Sequence, residues 1–208
     1  MKKSLNVTFA FLLVFIVKSY GQLGSHPAFG VKVGGNRMFT NIKVRPNNLV
    51  SRLSGIQPSE GFQVGTWATF PINKWLFIET DLDFQQRQNQ YGDPTDKTKV
   101  VAVNTFNYLG LSGRIGGTYK NIYLTVGPRA VVLLSKKVLG GEGTQAAEWG
   151  ADVRLGYQYK RFRLEAFYQQ SFSHYHQIVF LDPVEKKNLF MAKTAGITLG
   201  FRLFGKGK

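Results

Sequence analysis

Cysteine is absent from the 208 residues of this sequence. Its absence excludes disulfide bonds, and it also excludes a lipid anchor attached to an N-terminal cysteine. Small secreted domains commonly depend on disulfides for their stability. The chain therefore needs another source of stability, and a closed ladder of hydrogen-bonded strands would supply one.

Long hydrophobic runs are lacking too. The apolar run over residues 7–17 follows Lys2 and Lys3 and is shorter than the about 20 apolar residues that a membrane-spanning helix needs. A charged start, a short apolar run and small residues after it are typical of a secretory signal peptide. We predict this signal peptide over residues 1–21, with cleavage before Gln22. Any insertion of the mature chain into a membrane must then use strands.

Acidic residues are scarce, since 12 Asp and Glu stand against 27 Lys and Arg and the formal net charge is +15. Such an imbalance raises the question of nucleic-acid binding. The positive residues, however, are spread over loops and one strand face and form neither a basic helix nor a compact cluster. Contact with anionic lipid head groups explains the charge equally well. We expect no nucleic-acid partner.

Residues that alternate with period two are abundant by contrast, most clearly over 149–168. Successive side chains of a strand point to opposite faces, so this alternation indicates strands and not helices. One face of the resulting hairpin is apolar, with aromatic residues at its ends and aliphatic residues in its middle, as a strand that crosses a bilayer requires. The apolar face comprises Trp149, Ala151, Val153, Leu155, Tyr157 and Tyr159 on the first strand and Phe162, Leu164, Ala166 and Tyr168 on the second.

The same alternation predicts eight strands whose connections differ in length. Connections after even-numbered strands are turns of a few residues, whereas connections after odd-numbered strands are long, as in bacterial barrels. We therefore predict an all-β fold, an eight-stranded antiparallel up-and-down transmembrane β-barrel with short periplasmic turns and long extracellular loops. A short N-terminal segment at 22–27 precedes the barrel domain at 28–204, and a basic tail follows at 205–208. The strands are predicted near 28–40, 60–70, 75–87, 103–119, 122–134, 149–159, 162–168 and 193–204, with long loops at 41–59, 88–102, 135–146 and 173–192.

Alternation alone does not decide which face lies inside, because a soluble barrel of lipocalin type shows the same period with the faces reversed. Three features favour a polar interior: the aromatic ends of the apolar faces, glycines on the charged face, and a near balance of opposite charges there. The predicted interior charge network is Lys32, Glu79, Asp81, Asp83, Arg114, Arg129, Asp152, Arg154, Arg163, Glu165 and Arg202. The predicted aromatic girdle is Phe29, Phe62, Phe70, Trp75, Phe84, Trp149, Tyr157, Tyr159, Phe162, Tyr168 and Phe201.

An eight-stranded barrel has an interior just wide enough for side chains to fill it. Buried charges must be paired, so we expect the network to plug the lumen with ion pairs and to leave no continuous water channel. Arginine predominates over lysine in the network, as expected where planar, bidentate pairing is useful.

Three alternative sites deserve weighing against this expectation. The row of Glu79, Asp81 and Asp83 could bind a hard cation or act in acid–base chemistry, but pairing with the abundant arginines of the same face is favoured. His174 and His176 could bind zinc, although no third ligand is near. Ser171 and Ser173 beside a histidine form a weak hydrolase signal without an orienting group. We therefore predict no catalytic, metal-binding or cofactor-binding residue and no cofactor.

Four segments carry a family resemblance, and together they span nearly all of the mature chain. The segment 61–92, with its Gly-Phe-x-x-Gly strand, short turn and aromatic-x-Gln strand end, resembles the PorT-like outer-membrane β-barrel family. The segments 29–36, 107–116 and 194–204 are similar to the family's other strands. The resemblance implies an eight-stranded barrel of the outer membrane and does not by itself imply an enzymatic activity. The chain departs from the common terminal aromatic residue, since Gly-Lys-Gly-Lys follows Phe204.

The sequence leaves two functional hypotheses and a weaker third. The first is a stand-alone, non-enzymatic scaffold in the cell outer membrane, whose long loops present a binding or interaction surface. The second is an accessory subunit of a larger outer-membrane secretion or assembly complex, with other outer-membrane proteins as partners. The third is a small-solute porin, which paired charges in the lumen disfavour. In all three, outer-membrane lipids surround the barrel.

Overall fold

The structure is a computed structural model that describes residues 27–45, 56–92, 100–138, 143–180 and 186–205. The predicted signal peptide at 1–21, most of the N-terminal segment at 22–27, and residues 206–208 of the tail lie outside the described residues. Within the described ranges, no helix is long and apolar enough to cross a bilayer.

Ten strands occur in the described residues, and eight of them form a closed antiparallel barrel. The barrel closes because the first and the last strand pair with each other from Phe29↔Phe204 to Arg45↔Lys187. The two remaining strands are short and extend the sheet beside the last barrel strand. The strands are β1 Ala28–Arg45, β2 Ile56–Pro71, β3 Leu76–Gly92, β4 Val100–Tyr119, β5 Ile122–Lys137, β6 Gly143–Thr144, β7 Ala147–Tyr159, β8 Phe162–Ser171, β9 His176–Phe180 and β10 Lys186–Phe204.

The predicted all-β class, antiparallel topology and eight-stranded barrel are confirmed. The connections β2–β3, β4–β5 and β7–β8 are the short turns 72–75, 120–121 and 160–161, and we call the end that carries them the short-turn end. The opposite end, where β6 and β9 lie, is called the long-loop end.

Several strands run further toward the long-loop end than the sequence pattern predicted. β1 continues to Arg45, β2 begins at Ile56, β4 begins at Val100 and β10 begins at Lys186. The predicted loops at 41–59, 88–102 and 173–192 are therefore partly strand. The pattern failed here because it followed the apolar outer face, whereas the ladder of backbone hydrogen bonds between β1 and β10 needs no apolar side chain to continue.

The two faces of the barrel have opposite chemistry. The outer face is apolar in its middle, with exposed aliphatic residues on every barrel strand, while the buried face is polar and charged. A water-soluble protein rarely leaves so large a continuous apolar surface exposed. The exposed aliphatic residues are Val31, Val33, Val64, Ile78, Leu82, Leu109, Leu111, Ile115, Leu124, Val126, Val132, Val153, Leu155, Leu164, Ile197 and Leu199.

Candidate functional site

Two arginines form the centre of the barrel interior. Arg114 on β4 binds Glu79 at 2.7 Å, Asp81 at 2.6 Å and Asp152 at 2.8 Å. Arg154 on β7 shares two of these carboxylates, Asp81 at 3.2 Å and Asp152 at 2.9 Å. Because each guanidinium carries several donors in a fixed plane, one arginine can bridge carboxylates that belong to different strands.

The network continues around the barrel wall toward β8. Arg154 also binds Glu165 at 3.1 Å, and Arg163 binds both Glu165 at 3.0 Å and Glu79 at 2.6 Å. The Tyr123 hydroxyl donates to Glu165 at 2.6 Å and accepts from Arg163 Nε at 2.8 Å. This region of the wall is therefore linked by direct charge-assisted hydrogen bonds, which are the stronger class.

Two further pairs connect the strands at the other side of the network. Lys32 on β1 binds Asp81, which thereby contacts three cations. Arg129 on β5 donates from both terminal nitrogens to Asp83, at 2.6 and 2.9 Å. The structure thus brings ten of the eleven predicted network residues into ion pairs, and Glu79, Asp81 and Asp83 each bind a cation of the chain.

Arg202 is the predicted network residue that does not join. Its side chain is buried, yet it forms no ion pair with the described residues. On β10, Thr198 lies opposite Glu165 and Gly200 lies opposite Arg163, so Arg202 is two inward-facing rungs nearer the short-turn end than Glu165, the last carboxylate on β8. The parity of Arg202 was predicted correctly, but parity does not report the height at which acidic partners lie.

One buried ion pair was missed by the sequence analysis. Arg87 on β3 binds Glu148 on β7 at 3.3 Å, and Glu148 also accepts from Ser171 at 2.7 Å. Both charged residues share strand parity with predicted members, since Glu148 lies four residues before Asp152 and Arg87 four after Asp83. Alternation could have found them if the strands had been extended. They were missed because the sixth predicted strand began at residue 149, two residues after the observed start of β7 at Ala147, and because Arg87 lay at a predicted strand end.

The paired charges of the described interior balance. Six cations and six carboxylates take part in its ion pairs, while buried Arg202 stands outside them. Removing one partner of a buried pair leaves an uncompensated charge, which is the costly case. The paired residues are Lys32, Arg87, Arg114, Arg129, Arg154 and Arg163 with Glu79, Asp81, Asp83, Glu148, Asp152 and Glu165.

Polar side chains and then an apolar cluster cover the charges toward the long-loop end. Gln85 Nε2 donates to Gln63 at 3.4 Å and to Gln169 at 3.2 Å. Nearer the long-loop end lies a cluster of buried residues that was not predicted from the sequence, which we call the apolar cap. It consists of Met38, Phe106, Tyr108, Val131, Tyr175, Phe190 and Ala192.

Tyr175, between β8 and β9, holds the apolar cap in place. Its ring packs edge-on against Phe106 at a centroid distance of 5.3 Å. Its hydroxyl accepts from Asn89 at 2.9 Å and lies 3.0 Å from the hydroxyl of Thr40. Burial raises the pKa of the Tyr175 hydroxyl above its usual value. The segment after β8 therefore folds back over the lumen and closes it.

Charges, amides and the apolar cap together fill the described interior. A cavity near Arg129, Glu148 and Gln169 has a volume of only about 10 Å³, which is at the lower limit for a single water molecule. The barrel interior therefore behaves as a packed core with ionic content.

Glycines make room for the large side chains of this core. The ring of Tyr123 lies directly against the backbone of Gly156, where an added Cβ would collide with it. Gly110 is covered in the same way by the Arg129 guanidinium and by Asp83. These close approaches explain why glycine occurs on the charged face of the strands.

Replacing Gly156 by valine is expected to lower the free energy of unfolding by about 1–3 kcal/mol, the usual cost of overpacking. The new side chain would displace Tyr123 and break its hydrogen bonds to Glu165 and Arg163. Urea titration of the protein in vesicles, followed by tryptophan fluorescence, measures the loss. Gly113→Val is the matched control, because a Cβ at Gly113 meets nothing within 4 Å. Equal losses in both variants would contradict the assigned contact.

The aromatic residues lie in two belts on the outer face. Trp149 and Tyr168 lie toward the long-loop end, whereas Tyr157, Tyr159 and Phe162 lie at the short-turn end. Ten residues separate Trp149 from Tyr159 on one strand, which corresponds to roughly 23 Å along the barrel axis at a 45° tilt, close to the apolar band of membrane barrels. Phe29, Trp75 and Phe201 lie in the short-turn belt, and Phe62 and Phe84 in the other.

Phe70 departs from the predicted girdle, since only 6% of its surface is exposed. Its parity is that of the outer face, but the ring of Phe29 packs edge-on against it at 6.1 Å. Four exposed rings of the described chain lie outside the predicted girdle, namely Phe39, Tyr119, Phe172 and Phe204. Tyr119 ends β4 beside a short turn, which is the position where a belt residue is expected.

The predicted histidine pair is only partly described. His174 Nε2 lies 2.9 Å from Gln145 Nε2, and the side chain of His176 lies outside the described part. Among the described side chains, no three His, Cys, Asp or Glu residues converge into a group that could hold a metal ion.

Comparison with known proteins supports the fold. No protein-family model matches the chain, and no curated protein matches it. The solved structure of the outer membrane protein OprG from Pseudomonas aeruginosa is similar with a TM-score of 0.53 and 11% identity, covering 88% of this chain and 98% of that one. Neisserial surface protein A is similar with a TM-score of 0.50 and 12% identity, covering 85% of this chain and 98% of that one. The likeness shows an eight-stranded barrel fold, and the resemblance to the PorT-like family stays a prediction.

Proposed function

We propose that this protein is a non-enzymatic scaffold of the bacterial outer membrane that does not conduct solutes and that presents its long-loop end as a binding surface. The short-turn end then faces the periplasm, and the N-terminal signal peptide directs export. The resemblance of four segments to the PorT-like family supports this placement, as does the similarity to barrels that are described as outer membrane proteins.

The observation that carries the proposal is the closed interior inside an apolar wall. Exposed aliphatic residues form the outer face between two aromatic belts, which suits a bilayer. Inside, Arg114 and Arg154 bridge carboxylates of three strands, and the apolar cap covers them. A pore would need an open polar path, whereas the described interior is filled from the ion pairs to the cap. A scaffold needs no such path.

Planar-bilayer recording tests the closed interior. The mature protein is expected to give no steady single-channel conductance above the leak of the bilayer. Insertion is verified on the same preparation by the faster migration of the folded barrel on an unheated denaturing gel. Steady openings from verified, inserted protein would contradict the proposal and favour the porin hypothesis.

Partner capture separates the lone scaffold from the accessory subunit. Tagged protein is extracted from membranes in mild detergent and purified, and its partners are identified by mass spectrometry. A lone scaffold is expected to elute without a stoichiometric partner. A partner at one-to-one ratio would instead establish the subunit hypothesis.

A further inference from the structure

The short-turn end carries positive charge only, as far as the chain is described. Its three turns hold four exposed cations, Lys74, Lys120, Lys160 and Arg161. The acidic residues of the described chain lie elsewhere. Six belong to the interior ion pairs, and Glu60 lies on the half of β2 that is nearer the long-loop end. We call these four cations the cationic rim.

The cationic rim lies at the depth of the short-turn aromatic belt. Lys120 Nζ is 5.4 Å from the ring centre of Tyr119, and Lys160 Nζ is 5.4 Å from that of Tyr159. Lys74 stands in the same relation to Trp75 at 5.3 Å, and the Trp75 ring stacks on Tyr119. Exposed aromatic rings at a barrel end mark the level of the lipid head groups. The ammonium groups therefore lie where lipid phosphates lie.

The turns that carry the rim are held by neighbouring strands. The carbonyl of Asn121 accepts a hydrogen bond from the backbone of Gln158 at 2.8 Å, and that of Arg161 accepts one from Arg202 at 2.7 Å. In the first turn, Asn73 Oδ1 accepts two backbone N–H groups at 2.8 and 2.9 Å. The backbone that carries the cations is thus held in place, so less backbone entropy is lost when an anion binds them.

Backbone conformation independently indicates that lysine occupies two of these positions because of its charge. Lys120 has φ +56° and Lys160 has φ +52°, both in the left-handed region where glycine and asparagine are favoured. The two turns therefore place the same unfavoured residue in the same conformation, each time beside a tyrosine. Strained residues of this kind cluster at functional sites.

We propose that the cationic rim binds the phosphate groups of anionic phospholipids in the periplasmic leaflet. This inference rests on the proposed function, since it requires the barrel to be in a membrane. Lipid is the favoured occupant because the cations lie beside the lipid-facing rings on turns of two to four residues. A soluble acidic partner would require cations of this chain that reach beyond the membrane surface, and the described turns do not extend that far.

The tryptophans of the chain provide a direct measurement. Trp75 lies at the rim, Trp67 is buried inside the barrel, and Trp149 lies in the opposite belt. In a Trp149→Phe background, quenching of Trp75 by brominated lipids in mixed vesicles gives the relative binding constant of phosphatidylglycerol over phosphatidylcholine. We expect a ratio of about fivefold, the scale of one basic residue near an anionic surface.

The variant Lys120→Asn/Lys160→Asn removes two rim charges and suits the backbone, because asparagine adopts the left-handed conformation readily. The ratio is expected to fall toward one, while stability in pure phosphatidylcholine stays the same or rises. Lys136→Asn/Lys137→Asn is the matched control, since these exposed lysines end β5 at the long-loop end. The control is expected to keep the native ratio.

The outcomes separate the rim from the proposed function. A ratio near one in the native protein, or a ratio that survives Lys120→Asn/Lys160→Asn, overturns the rim proposal while leaving the scaffold intact. If soluble polyglutamate binds the native protein at physiological salt and the protein shows no preference for phosphatidylglycerol, the rim proposal is overturned in favour of an acidic soluble partner. Failure of the native chain to insert into phosphatidylcholine vesicles overturns the scaffold itself.

Discussion

Replacing Arg154 by methionine is expected to lower the free energy of unfolding in lipid by about 3–5 kcal/mol, the cost of breaking a buried ion pair from one side. Arg154 binds Asp81, Asp152 and Glu165, so its removal leaves the six carboxylates of the ion-pair network with five cations. Methionine keeps the length of the aliphatic stem, so little of the loss comes from an empty space. Urea titration of the protein in vesicles measures the change.

Two further variants show whether the charge is the cause. Arg154→Met/Asp152→Asn removes one charge of each sign and should recover part of the loss, which a double-mutant cycle quantifies. Lys136→Met removes a positive charge that is exposed, and its effect should stay within about 0.5 kcal/mol. If Arg154→Met is as stable as the native protein, the interior must be hydrated and the packed charge network is wrong.

Replacing Leu155 by arginine is expected to cost about 2–4 kcal/mol, the penalty for a cation at the bilayer midplane on the lipid face of a barrel. Leu155 is the next residue after Arg154 but points to the opposite face, where 55% of its surface is exposed. In a water-soluble barrel the same change at an exposed position would be nearly neutral. The free energy of unfolding in vesicles therefore reports which solvent surrounds the barrel.

Depth provides the control for this second variant. Tyr159→Arg lies on the same strand and the same face but in the short-turn belt, where the penalty falls to about 0–1 kcal/mol. A loss for Leu155→Arg no larger than that for Tyr159→Arg would refute a hydrocarbon environment at mid-strand. The Arg154 and Leu155 experiments together test the two faces of one strand, since arginine is needed at one residue and excluded from the next.

The interior shows how far alternation carries a prediction. Side-chain parity alone placed Glu79, Asp81 and Asp83 on the inner face, and the structure shows each of them bound to a cation. Parity also placed Arg202 inside. Pairing, however, depends on the position along the barrel axis, and Arg202 lies nearer the short-turn end than Glu165, the last carboxylate on β8. A period of two carries no information about the relative register of strands that are distant in sequence.

At the long-loop end, the sequence pattern did not predict the contacts that close the barrel. Tyr175 and Phe106 come from segments 69 residues apart in sequence, and only the closed barrel brings their rings to 5.3 Å. An aromatic residue in a predicted loop gives no sign that it will fold back over a lumen. The apolar cap was therefore invisible in the sequence, and so was the extension of β1 and β10, which depends on their mutual pairing.

The amino-acid sequence by itself determined the strand class, the two faces and the barrel size, because side chains alternate along every strand and this periodicity is local. Tertiary structure alone decided which charges meet, that Arg87 and Glu148 join them, and that Tyr175 closes the lumen. Pairing depends on the register between strands and on closure of the sheet, and both arise only when the first strand meets the last.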